Sequence, residues 1–373
     1  MLKKLINLNI LFFIGLFSSM SAQSTRSITT AVPFLQVSAD ARAAGVGDQG
    51  VATSPDVFSQ QWNSSKYAFL EDEFGVGVNV TPYLTKLVND IVLANLTGYK
   101  QLQNGRSAVA VGFRYFSLGE IDFTNDQGVQ YATEKPNELA LDLSYSMKLS
   151  DYYSMSVAGR YLRSDLRLNA QNASQANTDA NPGNSFGVDI TGYYQSREIP
   201  LGDLDGIIRA GYAITNIGPK MSYSEGTESF IPTNLRIGAG LDVVIDAFNV
   251  VKGTVEFSKL LVPSTQTDGS HLTESAFAGI FTSFGDNADG ISGEINEFTM
   301  AVGAEYVYNE AFALRLGYFG ENEDYGARKF ISFGAGFRYT TIGIDLSYLF
   351  STSNVPSPLE GTLRFGLTFG MGN

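Results

Sequence analysis

The stretch ISFGAGFRYTTIGIDLSYLF, residues 331–350, alternates between apolar residues and small or polar ones. The odd positions are apolar in its first half, and the even positions are apolar after the Thr340-Thr341 pair. A period of two is typical of a β-strand, because successive side chains of a strand point to opposite faces. The stretch therefore predicts two strands joined by a tight turn, each with one oily face and one polar face.

The same alternation recurs from about residue 73 to the end of the chain. Most of these segments are about 8 to 12 residues long, and tilted strands of roughly 9–11 residues cross a bilayer. We place fourteen of them near residues 74–81, 90–100, 107–117, 137–147, 153–163, 185–195, 207–216, 233–244, 250–260, 297–308, 312–319, 329–339, 341–350 and 361–369. The sequence therefore predicts a 14-stranded antiparallel transmembrane β-barrel.

The connections between these segments alternate in length. The odd-numbered connections are long, as in 118–136 and 261–296, whereas most even-numbered ones are short, as in 245–249 and 309–311. Bacterial outer-membrane barrels have short periplasmic turns and longer external loops. This favours the outer membrane of a Gram-negative bacterium, with a periplasmic N-terminus and extracellular long loops. A soluble sandwich or propeller also alternates in pattern, but it explains neither the loop lengths nor so many oily faces.

We expect the aliphatic and aromatic face to meet membrane lipid and the polar face to line the interior. A closed barrel satisfies every backbone polar group, which lipid cannot do. The charged residues that fall on the predicted interior face are Arg114, Asp142, Arg160, Asp189, Arg209, Arg236, Asp242, Glu256, Glu305, Arg315, Arg338, Asp345 and Arg364.

The N-terminus predicts export. Residues 1–22 combine Lys3 and Lys4, an apolar run and small residues before a cut after Ala22, which is the pattern of a secretory signal peptide. We divide the chain into this signal peptide, an N-terminal segment at 23–72 and the barrel at 73–373. The net charge of −13 argues against nucleic-acid binding, which needs basic faces.

Residues 34–70 do not alternate, and they carry the small-residue run ADARAAGVGDQGVA. Side chains alone fill an 8-stranded barrel, so a wider one needs a water channel or an internal plug. This segment is the predicted plug, with Arg42, Trp62 and Asn63 as its candidate anchoring residues.

The runs ADARAAGVGDQGVAT and SPDVFSQQWN, followed by fourteen predicted strands, resemble the FadL superfamily of outer-membrane barrels, and within it the PorV (LptO) family of the type IX secretion system. The resemblance covers nearly the whole mature chain. One departure is Ser64-Ser65, where many relatives have Pro-Ala after the asparagine.

The resemblance implies a shuttle rather than a pore. Such a protein binds secreted proteins that carry a C-terminal β-domain as they leave a large outer-membrane translocon barrel of the SprA type. It then delivers them to a sortase-like attachment complex at the cell surface. The alternative is a FadL-like transporter for hydrophobic small molecules. A general diffusion porin is disfavoured, because the plug fills the lumen.

Two long connections carry candidate partner-binding residues. In 261–296 the apolar run contains Phe277, Ile280, Phe281 and Phe284. Apolar residues on an outside loop indicate an interaction surface, although they also suit packing over the barrel mouth or onto lipid. In 217–232 the same two interpretations apply to Met221, Tyr223 and Phe230.

The sequence gives no pattern typical of an enzyme or of a cofactor or metal site. His271 is the only histidine and there is no cysteine, so no paired nucleophile and base is recognisable. The acidic stretch at 286–294 lacks the ligand spacing of an EF-hand calcium loop. We therefore expect a protein without catalytic activity.

Overall fold

The computed structural model describes residues 27–125, 127–167, 181–224, 227–264, 270–353 and 358–371. Fourteen strands form one antiparallel sheet that closes on itself. They are β1 Phe74–Pro82, β2 Ile91–Gln101, β3 Ser107–Leu118, β4 Asn137–Lys148, β5 Tyr153–Asp165, β6 Gly183–Gln195, β7 Leu204–Ile217, β8 Asn234–Val244, β9 Asn249–Leu260, β10 Thr299–Tyr308, β11 Phe312–Gly320, β12 Lys329–Tyr339, β13 Ile342–Ser351 and β14 Leu363–Met371.

Closure comes from pairing between the first and last strands. Phe74 of β1 faces Met371 of β14, and the register continues to Val80 opposite Phe365. Each of the other strands pairs with its neighbours in sequence, so no sheet edge remains unpaired in the barrel wall. The prediction of a 14-stranded antiparallel barrel is confirmed, and most strand bounds agree within two residues.

The two ends of the barrel differ. We call the end with the connections 102–106, 149–152, 245–248 and 309–311 the short-turn end, and the opposite end the long-loop end. Long connections at the long-loop end contain the hairpins Ile121–Thr124 with Gln130–Glu134 and Met221–Ser224 with Thr227–Ser229. At the short-turn end, Ile199–Leu201 pairs with the start of β7.

Within the residues that the structure describes, helices occur in two places. Before β1 lie the 3-10 helices Pro33–Gln36 and Ser64–Phe69 and the short helices α1 Ala41–Gly45 and α2 Ser59–Trp62. Between β9 and β10 lie the 3-10 helix Ser270–Thr273 and the helices α3 Ala276–Thr282 and α4 Gly290–Asn296. Within the described ranges, no helix has the length and hydropathy needed to cross a membrane.

The alternation of the sequence separates the two faces of the wall. Outward positions such as Leu143, Val157 and Phe186 remain exposed, which suits contact with lipid. Of the charged residues that the pattern assigns to the interior, all except Arg338 are buried or half buried. The polar face therefore lines the lumen, as predicted.

An arginine on the lipid-facing side should destabilise the barrel according to its depth. Leu143 is exposed in the middle of β4. We expect Leu143→Arg to lower the free energy of unfolding in a bilayer by about 2–4 kcal/mol, the cost of a cation near the midplane. Leu149→Arg, at the short-turn end, should cost at most about 1 kcal/mol. Equal losses for both would contradict the assignment of the outer face.

Candidate functional site

Residues 31–70 lie inside the lumen, and we call them the plug. Its first part forms a buried apolar cluster with the wall, in which Phe34 stacks on Phe116 of β3 with ring centroids 6.0 Å apart. The side chains of Val32, Phe34 and Tyr67 are almost fully buried. The main hydrophobic core of this protein is therefore the contact between plug and barrel.

The small-residue run of the plug approaches the wall backbone to backbone. A Cβ atom placed on Gly45 would lie 3.0 Å from the Cα atom of Gly334, and one on Gly317 would lie 2.0 Å from the backbone nitrogen of Gly47. Gly47 also has a φ of 91°, which only glycine adopts without strain. The plug seats against β11 and β12 because neither surface carries a side chain there.

Arg42 joins the plug to the wall by ion pairs. Its guanidinium lies 2.8 Å from an Asp56 oxygen and 3.0 Å from a Glu305 oxygen of β10. Glu305 also accepts from Arg315 at 2.5 Å, and Arg315 reaches Asp345 at 2.6 Å. All these groups are largely buried, so removal of Arg42 would leave Asp56 in the lumen without its ion pair, while Glu305 would keep Arg315.

The second anchoring region lies at Asn63. Its amide group donates to the carbonyl oxygens of Val51 at 2.9 Å and of Gly192 in β6 at 3.0 Å. Ser64 Oγ donates to Ser156 Oγ of β5 at 2.9 Å, and Ser154 Oγ donates to the Ser65 carbonyl at 2.8 Å. The two serines that depart from the family pattern therefore bond to the wall.

Trp62 is buried in the plug. Its indole nitrogen donates to Asp40 Oδ2 at 3.1 Å, and the Arg236 guanidinium of β8 lies 4.8 Å from its ring centre. The structure thus brings all three predicted plug residues into contact with other parts of the plug or with the wall.

A cavity of about 310 Å³ lies between the plug and the long-loop end. We call it the mouth cavity. Asp48 and Trp62 of the plug line the cavity. The parts of β8 to β12 near the long-loop end and the loops that join them line it as well. Arg236 and Glu256 form an ion pair of 3.1 Å in its wall. Its lining combines such charged side chains with apolar ones such as Phe319 and Phe330.

The connection between β9 and β10 is fixed to the barrel by buried polar groups. Lys259 of β9 is fully buried, and its ammonium bonds to Glu294 at 3.0 Å and to Glu297. Ser264 Oγ donates to Glu297 at 2.6 Å, and the Asn287 backbone nitrogen donates to Glu294 at 2.9 Å. The α3–α4 region, residues 276–297, is therefore an anchored platform.

Apolar side chains project from this platform. Phe277, Phe281 and Ile291 are 62%, 77% and 82% exposed, and Phe284 and Ile295 are also exposed. Ile280 is half buried. Most side chains of this apolar run are therefore not packed against the rest of the protein.

The remaining sequence candidates lie elsewhere. Met221 is fully buried and belongs to the core cluster of the plug, and Tyr223 is half buried with its hydroxyl on Ser164 Oγ. Phe230 is buried, and its carbonyl oxygen accepts from the backbone nitrogen of Ala31. These three side chains pack the rim over the plug.

Sequence reasoning missed Ile291 and Ile295, which together with Phe277, Phe281 and Phe284 make up what we call the apolar surface. The signal available was their spacing of four residues, which places two side chains on one face of a helix. The run ISGEIN, residues 291–296, overlaps the acidic stretch at 286–294, and its glutamate drew attention away from its two isoleucines.

Three carboxylates of the platform have ligand atoms within 4.8 Å of one another: Asp286, Glu294 and Glu297. Burial raises the pKa of the Asp286 carboxyl, and the neighbouring carboxylates raise it further. The Lys259 ammonium already bonds to the other two members. A lysine therefore supplies the positive charge that a metal ion would bring.

Replacement of Arg42 should loosen the plug. Arg42→Met breaks the buried ion pair with Asp56 and one of the ion pairs of Glu305, and breaking a buried ion pair costs about 3–5 kcal/mol. We expect faster hydrogen exchange of residues 33–70, with little change in the strands. Arg106→Met, at an exposed turn, is the control and should leave exchange unaltered. Unchanged plug exchange in Arg42→Met would show that the ion pairs do not hold it.

The chain is similar to the family described as "Type IX secretion system protein PorV" over residues 20–267, about two thirds of its length. A comparison with curated proteins finds no match. The matched region includes the plug and β1 to β9 and ends before α3.

Among solved structures, the Ralstonia pickettii toluene transporter TbuX is 11% identical, with a TM-score of 0.50 over 91% of this chain and 99% of that one. The Pseudomonas putida toluene transporter TodX is 11% identical, with a TM-score of 0.47 over 87% and 94%. At this identity, the likeness to TbuX shows a common FadL-like barrel fold and nothing about ligands. The chain belongs to the PorV family of type IX secretion system proteins, and it is an outer-membrane β-barrel.

Proposed function

We propose that the protein binds secreted proteins of the type IX system through the apolar surface of its α3–α4 platform and delivers them to the attachment complex at the cell surface. The observation that carries the proposal is the combination of a filled lumen with exposed Phe277, Phe281 and Ile291 on anchored helices. A surface of this kind supports protein contact.

In this proposal the long-loop end faces the cell exterior and the N-terminus faces the periplasm. Loop lengths support this orientation, because outer-membrane barrels carry their long loops outside. Exported proteins that leave the translocon barrel would then meet the platform directly. The proposal assigns no catalytic role to any side chain.

The alternative, transport of hydrophobic small molecules, would require the plug to move. Arg42, Asn63 and Ser64 each bond to other buried groups of plug or wall, and the mouth cavity above them has charged side chains in its lining. These contacts favour a fixed plug. We therefore place function at the platform and not in the lumen.

Exposed phenylalanines can be removed without disturbing the fold. Surface substitutions usually change stability by less than about 0.5 kcal/mol, so the double variant Phe277→Ser/Phe281→Ser should assemble normally. Loss of two central contacts should weaken cargo capture at least about thirtyfold and should stop cargo release into the medium. The control is Leu87→Ser in another long loop, where Leu87 is 78% exposed. Normal secretion by the double variant would refute the role of the platform.

A disulfide can distinguish a fixed plug from a moving one. The chain has no cysteine, and Ser64 Oγ lies 2.9 Å from Ser156 Oγ. We expect the oxidised double variant Ser64→Cys/Ser156→Cys to secrete cargo as the unmodified protein does. Secretion that stops on oxidation and returns on reduction would show that the plug must move. Ser64→Cys alone controls for the substitution.

A further inference from the structure

The mouth cavity opens beneath the loops of the long-loop end and has room for a small ligand. Its volume of about 310 Å³ lies at the lower end of the range for small-molecule sites. Trp62 of the plug and Asn234, Arg236 and Glu256 of β8 and β9 line one side, and Arg328 and Phe330 line another. None of the five side chains of the apolar surface lines the cavity, so a ligand in the cavity and cargo on the platform would occupy different sites.

Its charged lining is paired within the protein. The pairs are Arg236 with Glu256, Arg328 with Glu321, Asp48 with Arg364, and Glu297 with Lys259. A charged ligand would find no opposite charge without an existing partner, and its own desolvation would be uncompensated. The cavity therefore favours an uncharged ligand.

One buried polar atom of a residue that lines the cavity has no partner among the described residues. Asn234 is 7% exposed, it lines the cavity, and its Oδ1 atom makes no hydrogen bond with the part of the chain that the structure describes. A buried amide oxygen left unpaired destabilises the folded protein, because it has lost its hydrogen bonds to water. Since this oxygen only accepts, the missing group has to be a hydroxyl or an N–H donor.

The rest of the lining combines apolar patches with hydrogen-bonding groups. Tyr83, Phe319 and Phe330 supply aromatic surface, and the Arg328 guanidinium lies 5.3 Å from the Phe319 ring centre. Paired arginines and carboxylates keep spare donors and lone pairs. A pure hydrocarbon would bury these groups unsatisfied, whereas hydroxyl groups donate and accept at once.

We propose that the mouth cavity is a binding site for an uncharged, hydroxyl-bearing ligand of the size of a small sugar. A rotation of the Asn234 amide toward the cavity lets one hydroxyl of the ligand donate to Oδ1, and other hydroxyls bond to the arginine–carboxylate pairs. The C–H faces of the ligand pack on the aromatic side chains. The site admits its ligand from the long-loop end, because the plug fills the lumen below.

Trp62 provides the readout, because it is the only tryptophan of the chain and lines the cavity. The full-length barrel, in a detergent without a sugar headgroup, is titrated with glucose and maltose while its fluorescence is recorded. Toluene, gluconate and a neutral glycine–serine peptide are the comparison probes. We expect a saturable change with a neutral sugar only, and an apparent affinity about tenfold weaker in Asn234→Leu.

Asn95→Leu is the matched control. Asn95 is also a buried luminal asparagine with an unpartnered atom, but it lies outside the cavity lining. This variant should bind as the unmodified barrel does. Three results would overturn the proposal: no saturable response to either sugar, saturation by toluene, gluconate or the peptide in their place, or equal weakening in the two leucine variants.

Discussion

A single buried guanidinium connects the parts of this molecule. Arg42 comes from the N-terminal segment, yet its carboxylate partners are Asp56 in the plug and Glu305 in the wall. The lumen of a 14-stranded barrel is too wide for wall side chains to fill, and the plug that fills it supplies ion-pair partners for Glu305 and Arg364 of the wall. Because these groups are buried, neither plug nor wall is satisfied without the other.

The location of the exposed surface follows from this constraint. Once the lumen is filled, the parts of the protein available to a partner are the lipid-facing wall and the two ends. At the long-loop end, Lys259 compensates two glutamates of the α3–α4 platform and fixes it beside the barrel mouth. Anchored helices hold exposed aromatic residues at little entropic cost on binding, which favours recognition.

Much of the barrel could be predicted from the sequence because strand geometry is local. The period of two marks each strand, and the turn at Thr340-Thr341 marks a boundary without any long-range information. Arg42 and Asn63 were identifiable as plug residues because the segment breaks the alternation and because it resembles a known family. Their partners were not, since Arg42 and Glu305 lie 263 positions apart and no local pattern links them.

Local sequence patterns also failed to predict the structure of the platform and the rim. Helices α3 and α4 are short and rich in glycine, so they give little periodic signal. Phe277 and Phe281 were predicted as candidates from hydrophobicity alone, which could not tell whether they would be exposed. Met221 and Phe230 have similar hydrophobicity but are buried against the plug at the rim, and only the path of the plug through the lumen distinguishes them from the exposed phenylalanines.

The most direct test of the central claim is photo-crosslinking in living cells, with a photoreactive amino acid in place of Phe281 and mass spectrometry of the adducts. We expect adducts with exported proteins that share a C-terminal β-domain, formed while the plug remains in the lumen. Adducts with lipid alone, or none from Phe281 while a probe at Trp62 captures cargo, would contradict a function carried by the platform.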